Sequence, residues 1–223
     1  MRCSSQCVSS TDPSARRPLK SRDVEFFRAL ARWLARLGVT PNAISFASMV
    51  CGALAGLAFA GTTQVSGGMG RALFVAAAVF IQLRLLCNLI DGLVAVECGK
   101  KTPTGDIWNE APDRLADVVI LVGAGYALGG RPELGYLAAL GAVLTAYVRA
   151  LGASLGAGQD FCGPGAKPHR MALCTGGAIL VAIFPQLIEW WHVVPALAAV
   201  LAGITVLRRL AHLAGYLRRT RFL

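Results

Sequence analysis

Charge is scarce in this sequence of 223 residues, and acidic charge is the scarcer kind. Only 15% of the residues are charged, with 12 acidic side chains against 22 lysines and arginines, while 55% are hydrophobic. A soluble globular domain carries about 25% charged residues. The composition therefore excludes an ordinary soluble domain and indicates a chain that places most of its length in a membrane.

The sequence also lacks a signal-peptide pattern near the N-terminus and a nucleic-acid-binding motif along its basic segments. The first ~20 residues are rich in Ser, Arg and Pro and lack the apolar segment of a signal peptide. We expect residues 1–21 to form a disordered cytoplasmic tail and residues 22–223 to form a single membrane domain. No nucleic-acid-binding motif accompanies the net charge of +10, so we expect the basic residues to face anionic lipid and not nucleic acid.

The seven cysteines form no CxxC pair and no paired metal spacing. They fall in the tail, in apolar segments or at the predicted cytoplasmic edges, where thiols stay reduced or pack as small apolar side chains. We therefore expect neither a structural disulfide nor a zinc site.

Long apolar segments are abundant. About 20 residues are needed to cross a bilayer, and six segments are candidates: 42–61, 72–95, 114–128, 134–156, 171–190 and 193–213. The third is short and needs its polar first turn shielded by protein. Basic residues cluster at the N-terminal segment, at alternate connections and at the C-terminal end, so the positive-inside rule predicts that both termini are cytoplasmic. Trp190 and Trp191 then fit an aromatic belt at the outer interface.

Residues 24–37 precede the first of these segments. Their phenylalanines, leucines and tryptophan share one helical face and alternate with arginines, a pattern typical of a helix that lies on the inner membrane surface. The predicted fold is therefore an all-α polytopic integral membrane protein, with six transmembrane helices preceded by an amphipathic interfacial helix.

Polar side chains interrupt two of the apolar segments at helical spacing. Arg84, Asn88 and Asp91 follow an i, i+4, i+7 pattern on one face of the second segment. A second stripe, with an asparagine at its edge, begins the third segment. Its members are Asp106, Glu110, Asp113, Asp117 and the flanking Asn109.

Polar groups in such surroundings are costly without a partner, so Asn88, Asp91, Asn109 and Asp113 indicate a buried or interfacial site. Carboxylate and amide oxygens suit Mg²⁺, Mn²⁺ or Ca²⁺. For Asp106, Glu110 and Asp117 we favour a solvated helix start over a role in the site.

Three basic residues are compatible with an anionic substrate. Arg149 falls within the fourth segment, where it either contacts that substrate or forms an ion pair with Asp91 or another acid. Lys167 and Arg170 begin the fifth segment, where they either grip a phosphate or act as positive-inside anchors.

The run from Asn88 to Asp113 resembles the signature of the CDP-alcohol phosphatidyltransferase family, which reads D-x2-D-G-x2-A-R-x8-9-G-x3-D-x3-D. The segment 38–45, GVTPNAIS, resembles the family's turn into its first span. Asparagines stand in place of the first and third aspartates and a valine in place of the arginine, as in a bacterial subgroup with paired asparagines. The matching positions are Asn88, Asp91, Gly92, Ala95, Val96, Gly105, Asn109 and Asp113.

The resemblance implies roles for these residues. Asp113 would be the general base and would also hold Mg²⁺ or Mn²⁺, one ion or two, with Asn88, Asp91 and Asn109. Gly92, Ala95 and Gly105 would allow close approach of the cytidine nucleotide. The basic binding candidates are Arg84, Arg149, Lys167 and Arg170, of which Lys167 and Arg170 would grip the phosphate of the acceptor or the lipid diphosphate.

The implied reaction moves a phosphatidyl group from a CDP-linked lipid such as CDP-diacylglycerol to a water-soluble alcohol and releases CMP. Glycerol 3-phosphate is the leading acceptor, with inositol phosphate, serine and other polyols open. A homodimer in the bacterial inner membrane, with a cytoplasmic active site, is also implied.

Two alternatives stay open. One is a nucleotide- or lipid-binding pseudoenzyme of the same fold, because of the asparagine and valine replacements. The other is a small transporter that uses Asp91, Arg84 and Arg149 as a relay, although its acidic groups cluster at one membrane face.

Overall fold

The computed structural model describes residues 25–97 and 105–221, and the regular structure in those ranges is entirely helical, which confirms the all-α prediction there. The predicted tail, residues 1–21, lies outside the described residues. Short 3₁₀ turns cover Thr62–Gln64 and Pro185–Trp190. The α-helices are α1 (Glu25–Arg36), α2 (Pro41–Gly61), α3 (Gly68–Glu97), α4 (Gly105–Tyr126), α5 (Pro132–Ser154), α6 (Lys167–Ile183) and α7 (Val193–Arg221).

Four stretches of the described chain are long and apolar enough to cross a membrane. They are Pro41–Gln64, Gly68–Val94, Pro132–Ser154 and Val193–Thr220, and they overlap the first, second, fourth and sixth predicted spans. The third and fifth predicted spans are helical too, as α4 and α6, but α4 is rich in charge at its start and α6 has only 17 residues. The fold is therefore that of a polytopic membrane protein, and the count of six spans stays a prediction.

Helix α1 forms where the amphipathic pattern predicts a helix. Ala31 is fully buried in a cluster with Ile44 of α2 and Ile90, Leu93 and Val94 of α3. Phenylalanine and tryptophan side chains nearby are exposed, at 68% for Phe26 and 55% for Trp33. Part of the apolar face of α1 is thus covered by the bundle, and its position on a membrane surface stays a prediction.

The main core lies toward the end of the bundle where α2 ends and α3 begins. Phe59, Phe74 and Trp191 pack together, with ring centroids 4.8–6.0 Å apart. The Trp191 indole N–H donates a hydrogen bond to the carbonyl oxygen of Ala124, at 2.7 Å. Trp191 is only 1% exposed. The prediction that it belongs to an aromatic belt was wrong, because its ring is buried in the core. Trp190 is 65% exposed.

Helices α2 and α4 touch through glycines. A Cβ atom placed on Gly123 would lie 2.4 Å from the carbonyl oxygen of Gly56, and one on Gly56 would lie 2.5 Å from that of Val119. Small residues allow this close approach between membrane helices. The contact fixes the separation of the two helices that, with α3, carry the polar residues.

We predict that Gly123→Ala destabilises the protein by about 1–3 kcal/mol, the usual cost of overpacking, because α2 and α4 must separate. Thermal unfolding of the purified protein in detergent micelles measures this. Gly203→Ala is the matched control, since a Cβ there meets nothing within 4 Å. Equal unfolding midpoints for both variants would contradict the importance of the close contact.

Candidate functional site

The polar stripe of α3 faces α2 at two points. The Asp91 carboxylate accepts a hydrogen bond from the Ser45 hydroxyl, with Oγ and Oδ2 2.8 Å apart. The Ser48 hydroxyl donates to Oδ1 of Asn88 at 2.6 Å. Asp91 is only 3% exposed. The predicted site residues of α3 are thus held by two hydroxyls, three residues apart, on the neighbouring helix.

Asp113 of α4 is the point where three helices meet. Its Oδ1 accepts hydrogen bonds from Arg84 Nη2 at 2.6 Å, Asn88 Nδ2 at 2.7 Å and Lys167 Nζ at 2.5 Å. Arg114 Nη2 lies 3.4 Å from its Oδ2. Asp113 is therefore a carboxylate that three cationic side chains and one amide orient.

Asp117, one turn further along α4, forms a second ion-pair centre. Its Oδ1 lies 2.8 Å from Arg84 Nη2, and its Oδ2 lies 3.0 Å from Arg170 Nη2. All three side chains are buried, with exposures of 0% for Arg84 and 1% for Asp117 and Arg170. The favoured interpretation of Asp117 as part of a solvated helix start was wrong, because arginines from α3 and α6 cover it.

Glu110 pairs with two arginines at the edge of the site. Its Oε1 lies 2.6 Å from Arg149 Nη2, and its Oε2 lies 2.9 Å from Arg114 Nη2. The Glu110 side chain is 52% exposed, in agreement with its predicted position at the solvated start of the helix. It nevertheless forms ion pairs with two arginines. Arg149 forms its ion pair with this residue of α4, and its guanidinium also lies over the Phe161 ring, 5.4 Å from the centroid.

The two basic residues at the start of α6 differ in surroundings. Lys167 has 20% of its side chain exposed beside Asp113. Arg170 is enclosed: besides Asp117, it donates hydrogen bonds to the carbonyl oxygen of Gly165 and to the Thr145 hydroxyl. The Gly165 N–H donates to Thr205 Oγ1 of α7 at 2.7 Å. Lys167 is thus the accessible cation, and Arg170 is part of a buried network.

Several predicted residues can be placed only on their helices. Gly92 is buried in α3 next to Asp91. Ala95 and Val96 belong to α3, and Asn109 belongs to α4, but their side chains lie outside the described residues, as does Asp106. Gly105 begins α4, and its surroundings are likewise outside. The structure therefore brings together Arg84, Asn88, Asp91, Asp113, Lys167 and Arg170.

The sequence analysis missed several contacting residues, among them Arg114, which pairs with Glu110 and Asp113. Ser45 and Ser48 could have been found, since they are polar and share a helical face. Ser45 ends the segment that resembles the family's opening turn, and Ser48 lies three residues further on. No sequence pattern identifies Thr145 and Phe161 as site residues, because their contacts with Arg170 and Arg149 depend on how the helices pack.

The donor atoms of Asn88, Asp91 and Asp113 are amide and carboxylate oxygens brought to one side of α3 and α4. Hard oxygen donors of this kind are those that Mg²⁺ and Mn²⁺ prefer. By donor chemistry, these residues fit a divalent cation.

Buried carboxylates and arginines near one end of a helical membrane bundle are typical of a functional site that handles polar, charged groups. No family model matches the chain. It is 30% identical over 190 residues to an archaetidylinositol phosphate synthase of Aeropyrum pernix, covering 85% of this chain and 91% of the relative. It is 26% identical over 187 residues to the inner membrane protein YnbA of Escherichia coli, covering 82% and 90%.

Solved structures of Mycobacterium tuberculosis phosphatidylinositol phosphate synthase share the fold. The form in complex with manganese and citrate superposes with a TM-score of 0.69 at 21% identity, covering 84% of this chain and 88% of that one. The form with CDP-DAG bound gives 0.68 at 22%, covering 85% and 94%. The chain belongs to the CDP-alcohol phosphatidyltransferase family, and it is a membrane transferase of phospholipid biosynthesis.

We predict that Asp117→Asn lowers the stability of the protein by about 3–5 kcal/mol, the cost of removing one partner from a buried ion pair. The amide keeps the shape but leaves the positive charges of Arg84 and Arg170 poorly balanced. Thermal unfolding in detergent measures the loss. Glu133→Gln, at an exposed position in the first turn of α5, is the control, and an unfolding midpoint for Asp117→Asn equal to that of the control would contradict the prediction.

Proposed function

We propose that the protein transfers a phosphatidyl group from a CDP-linked lipid to a water-soluble alcohol that itself carries a phosphate, with release of CMP. One observation carries the proposal. The carboxylate of Asp113 and the partly exposed ammonium of Lys167 are 2.5 Å apart, which puts a proton acceptor beside a cation able to hold an anionic acceptor.

A groove between α3 and α6 supports a lipid donor. It has a volume of about 280 Å³, and its lining is almost entirely apolar. Leu83 and Leu86 belong to this lining and flank Arg84 in sequence, so an acyl chain in the groove would bring its headgroup toward the polar stripe. The bound CDP-DAG in the M. tuberculosis structure supports the same donor.

A divalent metal fits beside this donor. Asp91 and Asp113, with the amides of Asn88 and Asn109, would hold Mg²⁺ or Mn²⁺, and the manganese complex of the M. tuberculosis protein supports this assignment. When bound, the ion neutralises charge on the diphosphate as CMP leaves. Gly92, Ala95 and Gly105 would let the nucleotide approach the helix backbones.

The protein's own groups would carry out the proton transfer. Asp113 accepts the proton of the acceptor hydroxyl while the hydroxyl oxygen bonds to the phosphorus attached to the lipid and the bond from that phosphorus to CMP breaks. Arg84 and Asn88 hold the carboxylate in place. An ammonium group has three donors, so Lys167 can keep its contact with Asp113 while it binds the acceptor's phosphate.

The names of the relatives favour one class of acceptor alcohol over the others. A phosphorylated inositol is the first choice, since two archaeal relatives are archaetidylinositol phosphate synthases and one from Mycobacterium marinum, 33% identical, is a phosphatidylinositol phosphate synthase. Glycerol 3-phosphate is the second choice. Both offer a hydroxyl for Asp113 and a phosphate for Lys167 and Arg149.

The arrangement in the membrane follows from charge and from the family. The domain would cover residues 22–223 and cross the inner membrane six times, with α1 on the inner surface. Both termini and the site would face the cytoplasm, since basic residues flank that side. Two copies would form a homodimer.

We predict that Asp113→Asn lowers the rate of CMP release by about 10²–10⁴-fold, the usual contribution of a general base. The measurement uses purified protein with CDP-diacylglycerol, Mg²⁺ or Mn²⁺ and a phosphorylated acceptor. Glu189→Gln, which is exposed and distant from the site in the chain, should keep full activity. Full activity of Asp113→Asn, with thermal unfolding confirming a folded protein, would rule out the assigned base.

We also predict that lipid product forms with inositol phosphate or glycerol 3-phosphate and not with free inositol, glycerol or serine. Lys167→Met should raise KM for the phosphorylated acceptor at least tenfold and change KM for the lipid donor much less. Arg131→Gln, exposed between α4 and α5, is the control. Equal turnover of unphosphorylated acceptors would disprove the acceptor class but leave the transferase reaction standing. Absence of CMP release with every acceptor would instead favour a pseudoenzyme.

A further inference from the structure

A second group of metal-ligating side chains lies where the connection between α5 and α6 meets α7. One ligand atom from each of Asp160, Cys162 and His212 lies within 4.8 Å of the other two. Within this group, Nδ1 of His212 is 3.0 Å from Oδ2 of Asp160. None of the three belongs to the family signature or to the site described above.

The backbone around this group is fixed from two sides. Oδ1 of Asp160 accepts a hydrogen bond from the Cys162 N–H at 2.7 Å, which leaves Oδ2 directed at His212. The Cys162 carbonyl oxygen accepts a hydrogen bond from Nε of Arg209 at 3.0 Å. Arg209 lies three residues before His212 on α7 and therefore on the same helical face.

The same face of α7 holds the rest of the connection. The Tyr216 hydroxyl, four residues after His212, donates to the carbonyl oxygen of Gly156 at 2.9 Å. Thr205, four residues before Arg209, accepts the N–H of Gly165. The connection is thus seated on a single stripe of α7 along its length, so the three ligand-bearing residues are pre-positioned relative to one another.

We propose that Asp160, Cys162 and His212 form a second metal site, which binds Zn²⁺. A thiolate, an imidazole and a carboxylate are the ligand types of zinc, whereas Mg²⁺ and Mn²⁺ take oxygen ligands. Tetrahedral zinc with bonds of about 2.0–2.3 Å separates its ligand atoms by about 3.3–3.8 Å, so only small side-chain rotations are needed. The fourth position is left for water.

The site lies at the surface of the bundle. The side chain of His212 is 53% exposed and that of Asp160 is 33% exposed. An ion can therefore reach both side chains without opening the buried network of the bundle.

An ion at this position would stabilise the hydrogen-bond network that includes Arg170, three residues after Lys167. Arg209 donates from Nη1 to the carbonyl oxygen of Thr145 at 2.6 Å, and the Thr145 hydroxyl accepts a hydrogen bond from Arg170. The carbonyl of Gly165, at the end of the same connection, also accepts from Arg170. A bound zinc would therefore hold the α5–α6 connection against α7, with its fourth position open to water as in other three-ligand zinc sites.

Cobalt substitution tests the proposal, because Co²⁺ bound to a thiolate gives a charge-transfer absorption band in the near ultraviolet. The full chain is purified in detergent with chelator, in a background with C3S, C7S and C98S, and is titrated with Co²⁺. We expect a saturable band that Zn²⁺ displaces. C162S should abolish it, and H212A and D160A should each weaken Co²⁺ binding at least tenfold. H192A is the matched control, since that histidine lies between α6 and α7 at the other end of α7, and it should leave the titration unchanged.

Three results would overturn the proposal. They are the absence of a band at saturating Co²⁺, a band of full intensity in C162S, and loss of the band in Asp91→Asn, which would move the bound ion to the Asp91–Asp113 site. The first result would leave His212 and Asp160 as a simple hydrogen-bonded pair. Thermal unfolding of each variant without metal shows that it is folded, so that a lost band reports on the ligand and not on the fold.

Discussion

The buried guanidinium of Arg84 is the group on which the arrangement of the site depends. It is 0% exposed and lies within 2.8 Å of carboxylate oxygens of both Asp113 and Asp117. A buried charge is tolerated only when it is paired. Helices α3 and α4 can therefore pack only in the register that brings one arginine between two acids one turn apart, and that register also sets where Asn88 and Asp91 lie.

The replacement of a family aspartate by Asn88 has a clear structural counterpart. Its amide nitrogen donates to Asp113 and its amide oxygen accepts from Ser48. An ionised aspartate at this position could accept from Ser48 but would face Asp113 with a second negative charge. Asn88 thus removes one negative charge and supplies a hydrogen bond that orients the proposed base.

Helical spacing predicts which polar residues of the site share a helix face, whereas contacts between residues far apart in the chain cannot be predicted in this way. The stripe of Arg84, Asn88 and Asp91 spans seven positions, and the stripe from Asp106 to Asp117 that includes Asp113 spans eleven, so the shared face of each stripe can be predicted. Asp117 was misjudged because its burial depends on Arg170, 53 residues away. The proposed zinc ligands Cys162 and His212 show no motif spacing for the same reason, since a loop and a distant helix bring them together.

The class of fold and the main polar stripes follow from local sequence properties. Apolar length sets which segments can cross a bilayer, and the distribution of basic residues sets their orientation. Which charges are buried, paired or accessible depends on how the helices pack. Lys167 is partly exposed and Arg170 is enclosed, although both begin the same helix. Burial and pairing depend on what neighbouring helices place opposite a side chain, and no local pattern contains that information.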